Sequence, residues 1–278
     1  MKNRVYMCFP DFKEKALTLS YDDGVSEDKQ LLEILRSNGL KCTCNINSSL
    51  YGKYRRMLKE ESLAVYSNCD IEVASHGYEH LSLASVDSVV AVNEVLQDRK
   101  ELENTYNCII NGFAYANGSY SDAVINILKN CGIKYARTIT STETFDLPED
   151  WLKWNPTCHH DNPKLMELAN EFLSYKRPNY FWSYSPKLFY VWGHSYEFND
   201  KNNWAVIEKF AKLVGSRDDV WCATNGEIYN YVKAYDSLVW SVDSKLVYNP
   251  TAIDVYINCF GSKLVVKSGQ TIQLKLNI

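Results

Sequence analysis

Two short segments carry the side chains best suited to chemistry. Asp22 and Asp23 stand side by side before Gly24, directly after an apolar run at residues 16–20. Two adjacent carboxylates repel each other when both are ionised, and a bound cation removes that cost. One carboxylate would then bind the metal and the other would stay free as a base. The alternative is a solvated acidic turn, which this motif alone favours, because Asp-Asp-Gly is also ordinary turn chemistry.

The second segment contains His76 and His80. Histidines four residues apart on a helical turn point in the same direction, and two imidazoles on one face make half of a zinc site. The chain has only five histidines, which favours ligands over two independently placed side chains. One aspartate and two histidines give three protein ligands and leave a position for water, the pattern of a catalytic zinc site.

These residues need a scaffold that brings distant segments together. Apolar strand patterns alternate with helical patterns along the chain, which predicts parallel strands covered by helices. Seven or eight such repeats predict an irregular (β/α) barrel. The expected strands cover residues 16–20, 41–46, 71–74, 112–116, 133–138, 188–192 and 220–223, and the expected helices cover 26–38, 54–66, 85–104, 121–130, 163–173 and 203–213.

Chemistry in such barrels lies in the loops after the strand C-termini. The polar residues of interest follow strands in the expected way: Asp22, Asp23, His76, Asn117 and His194. After about residue 235 the pattern changes to short alternating runs separated by turns. We expect a catalytic domain at residues 1–235 and a small antiparallel β appendage at 236–278, packed on the same domain.

Composition excludes several functional classes. Hydrophobic residues make up 46% and charged residues 23% of the chain, and the net charge is −4 without a Lys/Arg run, so we expect no nucleic-acid partner. The apolar stretches are too short for a membrane partner. Nine scattered cysteines without a CxxC pair predict free thiols. These thiols and an N-terminus without an apolar core predict a cytoplasmic location.

Four motifs in order resemble the NodB-type polysaccharide deacetylases, which are metal-dependent carbohydrate esterases. Residues 20–24 (SYDDG) resemble the family's T-F-D-D-G signature, and His76-x-x-x-His80 resembles its H-[ST]-x-x-H signature. Residues 113–118 (FAYANG) stand at the third motif, and residues 191–194 (VWGH) resemble the last. The resemblance spans about residues 16–235 and implies an irregular (β/α) barrel.

The resemblance also implies a role for each matching residue. Asp22 would be the general base, and Asp23, His76 and His80 would bind a divalent metal, zinc in the first place. His194 would be the general acid. A backbone N–H near Asn117 would help to hold the oxyanion.

The third motif departs from the family pattern. Ala114 stands where the family has an arginine that tethers the base, and Asn117 replaces its tyrosine. We expect Arg137, at the end of the next strand, to replace that arginine. The alternative for Arg137 is a surface salt bridge.

Aromatic residues are abundant, with 20 tyrosines and 7 tryptophans. Trp151 or Trp154 would wall a pocket for the acetyl methyl group, or else belong to ordinary packing. Tyr21 and Trp192, which lie inside two of the motifs, complete the expected substrate-binding set.

Two further groups have no match in the family motifs. For His159 and His160 a structural role is favoured, and on a strand at most one of them should face the site. The alternating Tyr180, Trp182 and Tyr184 could present one aromatic face to a sugar, although a half-buried strand is the preferred interpretation.

Three functions follow as hypotheses. The first is hydrolysis of N-acetyl or O-acetyl groups from an acetylated sugar or glycan. The second keeps the site but acts on a small amide or a cyclic ureide. The third is a carbohydrate-binding relative with impaired catalysis, suggested by the missing arginine.

Overall fold

The computed structural model describes residues 5–177, 184–259 and 261–274. Two of the expected alternating aromatics, Tyr180 and Trp182, lie outside these residues. The strands are β1 Val5–Cys8, β2 Lys15–Asp22, β3 Cys42–Ile46, β4 Ile71–Ser75, β5 Gly112–Ala114, β6 Tyr135–Arg137, β7 Cys158–His159, β8 Lys187–Gly193, β9 Val220–Cys222, β10 Val239–Trp240, β11 Leu246–Tyr248, β12 Val255–Cys259, β13 Ser262–Val266 and β14 Thr271–Gln273. The helices are α1 Asp28–Ser37, α2 Lys59–Tyr66, α3 Ser88–Tyr106, α4 Asp122–Asn130, α5 Leu165–Ser174, α6 Tyr196–Asp200, α7 Ala205–Val214 and α8 Asn225–Asp236.

Eight parallel strands form the main sheet. Seven follow one path in the order β6-β5-β4-β3-β2-β8-β7, and β9 pairs beside β2. The central strand β2 has β8 along one side. On its other side, β9 pairs with residues 15–17 and β3 with residues 20–22. The predicted irregular (β/α) barrel is confirmed.

An irregular segment connects the two ends of this sheet. The backbone N–H of Trp154 donates to Ala136 at β6, and Trp154 accepts from Thr138 in return. Three residues later the N–H of Thr157 donates to Tyr190 of β8. The barrel is therefore closed by one chain segment that leaves β6 and joins β8.

Residues of β2 alternate between the two faces of the sheet, as strand geometry requires. Leu17, Leu19 and Tyr21 lie in the apolar layer that also contains residues of α1, α5 and α7. Asp22 therefore faces the barrel interior and Tyr21 does not. The ring of Tyr21 is 0% exposed, so our assignment of Tyr21 to substrate binding is wrong in this structure.

Helix α8 was not predicted from the sequence. Thr224 caps its N-terminus in a capping box with Glu227. The next residues enter the barrel interior, where Asn225 accepts from the Thr18 hydroxyl and the N–H of Gly226 donates to Glu72. The helix therefore covers the end of the barrel opposite the strand C-termini.

The C-terminal strands are antiparallel, as expected, and form two three-stranded sheets. One has the order β10-β11-β14, and the other has the order β1-β12-β13. The sequence did not indicate that the N-terminal strand β1 joins this appendage. The last described strand of the appendage, β14, ends at Gln273, and residues 275–278 lie outside the described part. Among the helices that the structure describes, none has the length and apolarity to cross a bilayer.

Candidate active site

Asp22 lies at the centre of the polar side chains at the strand C-termini. Its carboxylate is 2% exposed, and its Oδ1 accepts from Asn45 Nδ2 at 2.8 Å. Its Oδ2 accepts from the Arg137 guanidinium. His76 Nε2 and His194 Nε2 lie 3.8 and 3.9 Å from the same oxygen. Four different strands thus deliver polar atoms to one carboxylate.

Arg137 is completely buried although it carries a charge. Its guanidinium forms an ion pair with Asp22 and lies 4.2 Å from the centroid of the Trp192 ring. A cation over an aromatic face is attracted by the ring electrons. The alternative of a surface salt bridge for Arg137 is therefore wrong, and the guanidinium restricts where the Asp22 carboxylate can point.

Asp23, His76 and His80 bring three potential metal-ligating atoms within 4.8 Å of one another. Our expectation of a helical turn is wrong here, because residues 76–80 form a loop after β4. The loop turns through Gly77 (φ 84°) and His80 (φ 63°), both in the left-handed region. The two imidazole rings meet edge to face, with their centroids 4.8 Å apart.

Hydrogen bonds orient two of these three residues, His76 and Asp23. His76 Nδ1 donates to the Ala114 carbonyl at 2.8 Å, which leaves Nε2 as its ligand atom. Asp23 Oδ1 accepts from Arg56 at 2.7 Å and lies 3.7 Å from His80 Nε2. Two imidazoles and one carboxylate are the donor set of a catalytic zinc site, so the residues present fit a divalent cation.

His194 follows β8 and lies on the other side of Asp22. Its Nδ1 is 3.2 Å from Glu197 Oε1, one helical turn further along the chain. This contact orients the ring, so that Nε2 faces Asp22. Burial lowers the pKa of His194, but the Glu197 hydrogen bond and the Asp22 charge outweigh burial and raise it.

The surroundings favour the charged form of Asp22 and the neutral form of His76. Burial favours the neutral acid at Asp22, but the Arg137, His76 and His194 contacts outweigh burial and lower its pKa to about 2. Burial lowers the pKa of His76 to about 4, against the pull of Asp22. Near neutral pH the site therefore holds an ionised Asp22 and a neutral His76, the protonation state that a metal ligand needs.

Asn117 lies at the rim of the site. It follows β5, whose Ala114 holds His76, and adopts φ 55°. Its side chain is exposed and donates to the Ser82 hydroxyl at 3.0 Å. The role of a backbone N–H near Asn117 in holding an oxyanion stays a prediction.

The tryptophans divide into two groups. Trp151 and Trp154 are 8% and 1% exposed and pack edge to face against each other in an apolar cluster inside the barrel. The expectation that either walls an open acetyl pocket is therefore wrong. Trp192 lies over Arg137 and 5.7 Å from the His194 ring, next to the site.

The His159 ring packs against Trp192, and the His160 ring stacks on Tyr21 and Phe198, so the expectation that at most one of the two histidines faces the site is not contradicted. The two ring centroids lie 4.4 Å apart at the end of β7. Both approach Glu197 Oε2, at 3.4 and 2.9 Å. Glu197 thus lies between this pair and His194.

Three residues in direct contact with the expected site were missed. Asn45 is the second-last residue of β3 and lies beside Asp22, and the rule that polar residues at strand ends face the site would have found it. Glu197 lies three residues after His194 in the first turn of α6, the spacing of two side chains on one helix face. Arg56 comes from the loop before α2, and no sequence signal indicated it.

Comparisons with known proteins found similarity to one family. Residues 10–136, a little under half of the chain, match the model of the polysaccharide deacetylase family. This part of the chain is similar to the polysaccharide deacetylases. The match includes Asp22, Asp23, His76 and His80, but Arg137 and His194 lie beyond it. YxkH of Bacillus subtilis, named as a candidate polysaccharide deacetylase, is 22% identical over 126 residues, which is 45% of this chain and 45% of that protein.

Solved structures of polysaccharide deacetylase relatives share the fold. A candidate polysaccharide deacetylase from Mycobacterium smegmatis superimposes with a TM-score of 0.61 at 16% identity, over 83% of this chain and 94% of that chain. The esterase domain of a xylanase from the hindgut metagenome of Trinervitermes trinervoides has a TM-score of 0.51 at 15% identity, over 79% and 92%. A Bacillus anthracis protein of the same esterase family, described as a pseudoenzyme, has a TM-score of 0.50 at 16% identity, over 81% and 68%.

Proposed function

We propose that the chain is a metal-dependent hydrolase that removes acetyl groups, N-acetyl groups in the first place, from a carbohydrate. The observation that carries this proposal is the set of contacts around Asp22 Oδ2. Arg137 fixes this oxygen, while His76 Nε2 and His194 Nε2 lie 3.8 and 3.9 Å away. The family resemblance supports the choice of carbohydrate as substrate.

Asp23, His76 and His80 would hold the cation, and zinc suits a set of imidazole and carboxylate ligands. When bound, a divalent cation supplies Lewis-acid chemistry that acidifies water and polarises an acyl carbonyl. The three side chains need little rearrangement, because Ala114 already orients His76 and Arg56 already holds Asp23.

Asp22 would take the proton from the attacking water. Its carboxylate is ionised at every pH near neutrality, because its pKa is held at about 2 by Arg137 and the neighbouring histidines against the effect of burial. Asn45 and Arg137 each hold one of its oxygens, so the carboxylate cannot rotate away. Pre-oriented groups of this kind are worth several orders of magnitude in rate.

His194 would give a proton to the leaving group. Glu197 binds its Nδ1, so the proton on Nε2 faces the reaction. The raised pKa of His194 increases the protonated fraction near neutral pH, which suits an acid. In the overall step the water oxygen ends on acetate, the C–N bond breaks, and the sugar nitrogen takes the His194 proton.

The two alternatives differ in their support. The impaired-binder hypothesis was motivated by Ala114 in the arginine position, and the ion pair of Arg137 with Asp22 removes that motive. A small amide substrate uses the same residues and is separated from a glycan by the test below.

The test measures acetate released from N-acetylglucosamine oligomers by zinc-loaded protein and by protein stripped with a chelator. Asp22→Asn is expected to lower turnover at least ~100-fold, as for loss of a general base, while zinc content stays the same. Asp122→Asn is the matched control, because Asp122 is 91% exposed and contacts only Lys153 among the cations.

Each outcome decides between the hypotheses. Zinc-dependent acetate release that is lost in Asp22→Asn supports the proposal. Bound zinc without acetate release would direct the search to small amides. Neither zinc nor acetate would contradict the assigned ligand set.

A further inference from the structure

A second cluster of ligand-type side chains lies behind His194. His159, His160, Asp161 and Glu197 each offer one ligand atom, and these four atoms lie within 4.8 Å of one another. His159 and His160 come from the end of β7 and the turn after it, while Glu197 comes from α6. The candidate catalytic centre uses none of these four residues as a metal ligand.

Two of three separations in the cluster match those of ligands around a tetrahedral cation, and the third is shorter. His160 Nε2 is 2.9 Å from Glu197 Oε2 and 3.5 Å from Asp161 Oδ1. His159 Nε2 is 3.4 Å from the same Glu197 oxygen. Zinc–nitrogen and zinc–oxygen bonds of about 2.0–2.2 Å at tetrahedral angles place ligand atoms about 3.3–3.5 Å apart.

The buried atoms of the cluster lack partners. His160 is 1% exposed, and neither of its ring nitrogens has a hydrogen bond among the described residues. Glu197 Oε2 is buried and without a hydrogen-bond partner as well, although it lies close to His160. Unpaired buried polar atoms are costly, so a cation that bonds both His160 Nε2 and Glu197 Oε2 would stabilise the cluster.

Neighbouring residues already orient both carboxylates. Asp161 Oδ2 accepts from Lys201, which leaves Oδ1 turned towards His160. Glu197 Oε1 contacts His194, which leaves Oε2 turned towards the two histidines. Outer partners that hold one oxygen and free the other are typical of metal-ligating carboxylates.

We propose that His160, Asp161 and Glu197 form a second divalent-metal site, with His159 as its fourth ligand. Imidazole with carboxylate oxygen suits zinc and related transition metals better than calcium or magnesium, which prefer oxygen alone. His159 Nδ1 accepts the N–H of Asp161 at 3.1 Å, so the ring proton is on Nε2 and must move to Nδ1, with loss of this hydrogen bond, before Nε2 can bind a cation. His159 therefore contributes less to affinity than His160.

The ammonium group of Lys201 would compete with a metal ion for the carboxylates of this site. It bonds Asp161 and lies 4.0 Å from Glu197 Oε2. The side chain is 51% exposed and can move into solvent when a dication enters. Removing this positive charge should strengthen metal binding, whereas removing a ligand should weaken it.

The test is a zinc titration of metal-free protein against a chromophoric chelator, with metal content measured after desalting. The wild-type chain is expected to bind two equivalents. His160→Ala and Glu197→Gln should each leave one, and His80→Ala should also leave one by emptying the other site. Lys201→Met should tighten the second equivalent roughly threefold to tenfold, because a like charge is removed.

The matched control is Glu143→Gln, an exposed carboxylate in contact with Asn162 and Lys164, which should keep both equivalents. Glu197→Gln conserves the shape of the side chain. If circular dichroism shows that His160→Ala is unfolded, the zinc content of Glu197→Gln tests the site instead. The proposal is overturned if the wild-type chain binds one equivalent of zinc and Glu197→Gln still binds it. It is also overturned if the wild-type chain binds two equivalents and Glu197→Gln keeps both. If one equivalent of zinc binds to His80→Ala but not to Glu197→Gln, the second site is supported. That result would contradict the metal site assigned to Asp23, His76 and His80.

Discussion

Replacement of Arg137 by methionine tests whether the buried ion pair with Asp22 is as strongly coupled as its burial implies. Arg137 is 0% and Asp22 2% exposed, so Arg137→Met leaves an uncompensated carboxylate inside the barrel. Loss of one partner of a buried pair costs about 3–5 kcal/mol of unfolding free energy. Asp22→Asn leaves the arginine unpaired and should cost a similar amount.

The double variant Arg137→Met/Asp22→Asn distinguishes this account from simple loss of packing. It contains no buried charge at this position, so we expect its unfolding free energy to be close to that of either single variant. The coupling energy from the double-mutant cycle should then reach about 3 kcal/mol, the upper end for contacting residues. Urea unfolding followed by circular dichroism on metal-free protein measures all four species.

The surface pair Arg55 and Asp200 supplies the control cycle. Its side chains are 42% and 51% exposed, and exposed pairs couple by only about 0–1 kcal/mol. If the Arg137–Asp22 coupling is no larger than the coupling of this pair, the argument that Arg137 holds the base in place is refuted. The same argument is refuted if the pKa of Asp22 stays low in Arg137→Met.

Three further predictions concern single positions. Burial raises the pKa of Asp28 from 3.8 to about 7, so the contribution of Asp28 to stability should fall by roughly 3 kcal/mol between pH 4 and pH 7, and Asp28→Asn should remove this part of the pH dependence in urea titrations. Gly193→Ala should destabilise by about 1–3 kcal/mol in the same assay, because its new Cβ would lie 2.0 Å from His160 Nδ1. Asn45→Leu should lower kcat on an acetylated sugar about tenfold to a hundredfold with little change in KM, since Asn45 orients Asp22 rather than the substrate.

Each of these predictions has an outcome that contradicts it. The sign for Asp28 follows from linkage: a carboxyl with a raised folded-state pKa stabilises fully below the unfolded pKa and loses that contribution as pH rises through the folded value. An equal pH slope in both proteins would contradict it. An alanine tolerated at Gly193 would show that the His160 ring moves freely. An increase in KM alone at Asn45 would assign it to substrate binding.

The barrel and most of the site geometry were accessible from the sequence. Parallel strands place their C-terminal ends at one edge, so the position of Asp22, His76 and His194 after separate strands was enough to predict that they meet. The helix α8 was missed although Thr224 and Glu227 carry its capping-box signature.

The predictions for Tyr21, Trp151 and Trp154 failed because composition does not specify which face a side chain takes. Tyr21 lies next to Asp22 in sequence, and the period of two on a strand turns it to the opposite layer. Trp154 lies in the segment that closes the barrel, and its ring fills the interior. The convergence of His159 and His160 depends on where β7 stops, and strand ends are the least predictable feature of a sequence.

The pairing of β1 with β12 has a consequence for biosynthesis. Val5 pairs with Cys259, so β1 waits for a partner strand that is made about 250 residues later. At about 5–20 residues per second this delay lasts roughly 12–50 seconds. During that time the short apolar strand has an unsatisfied edge, which is where chaperone binding or aggregation of the nascent chain would begin.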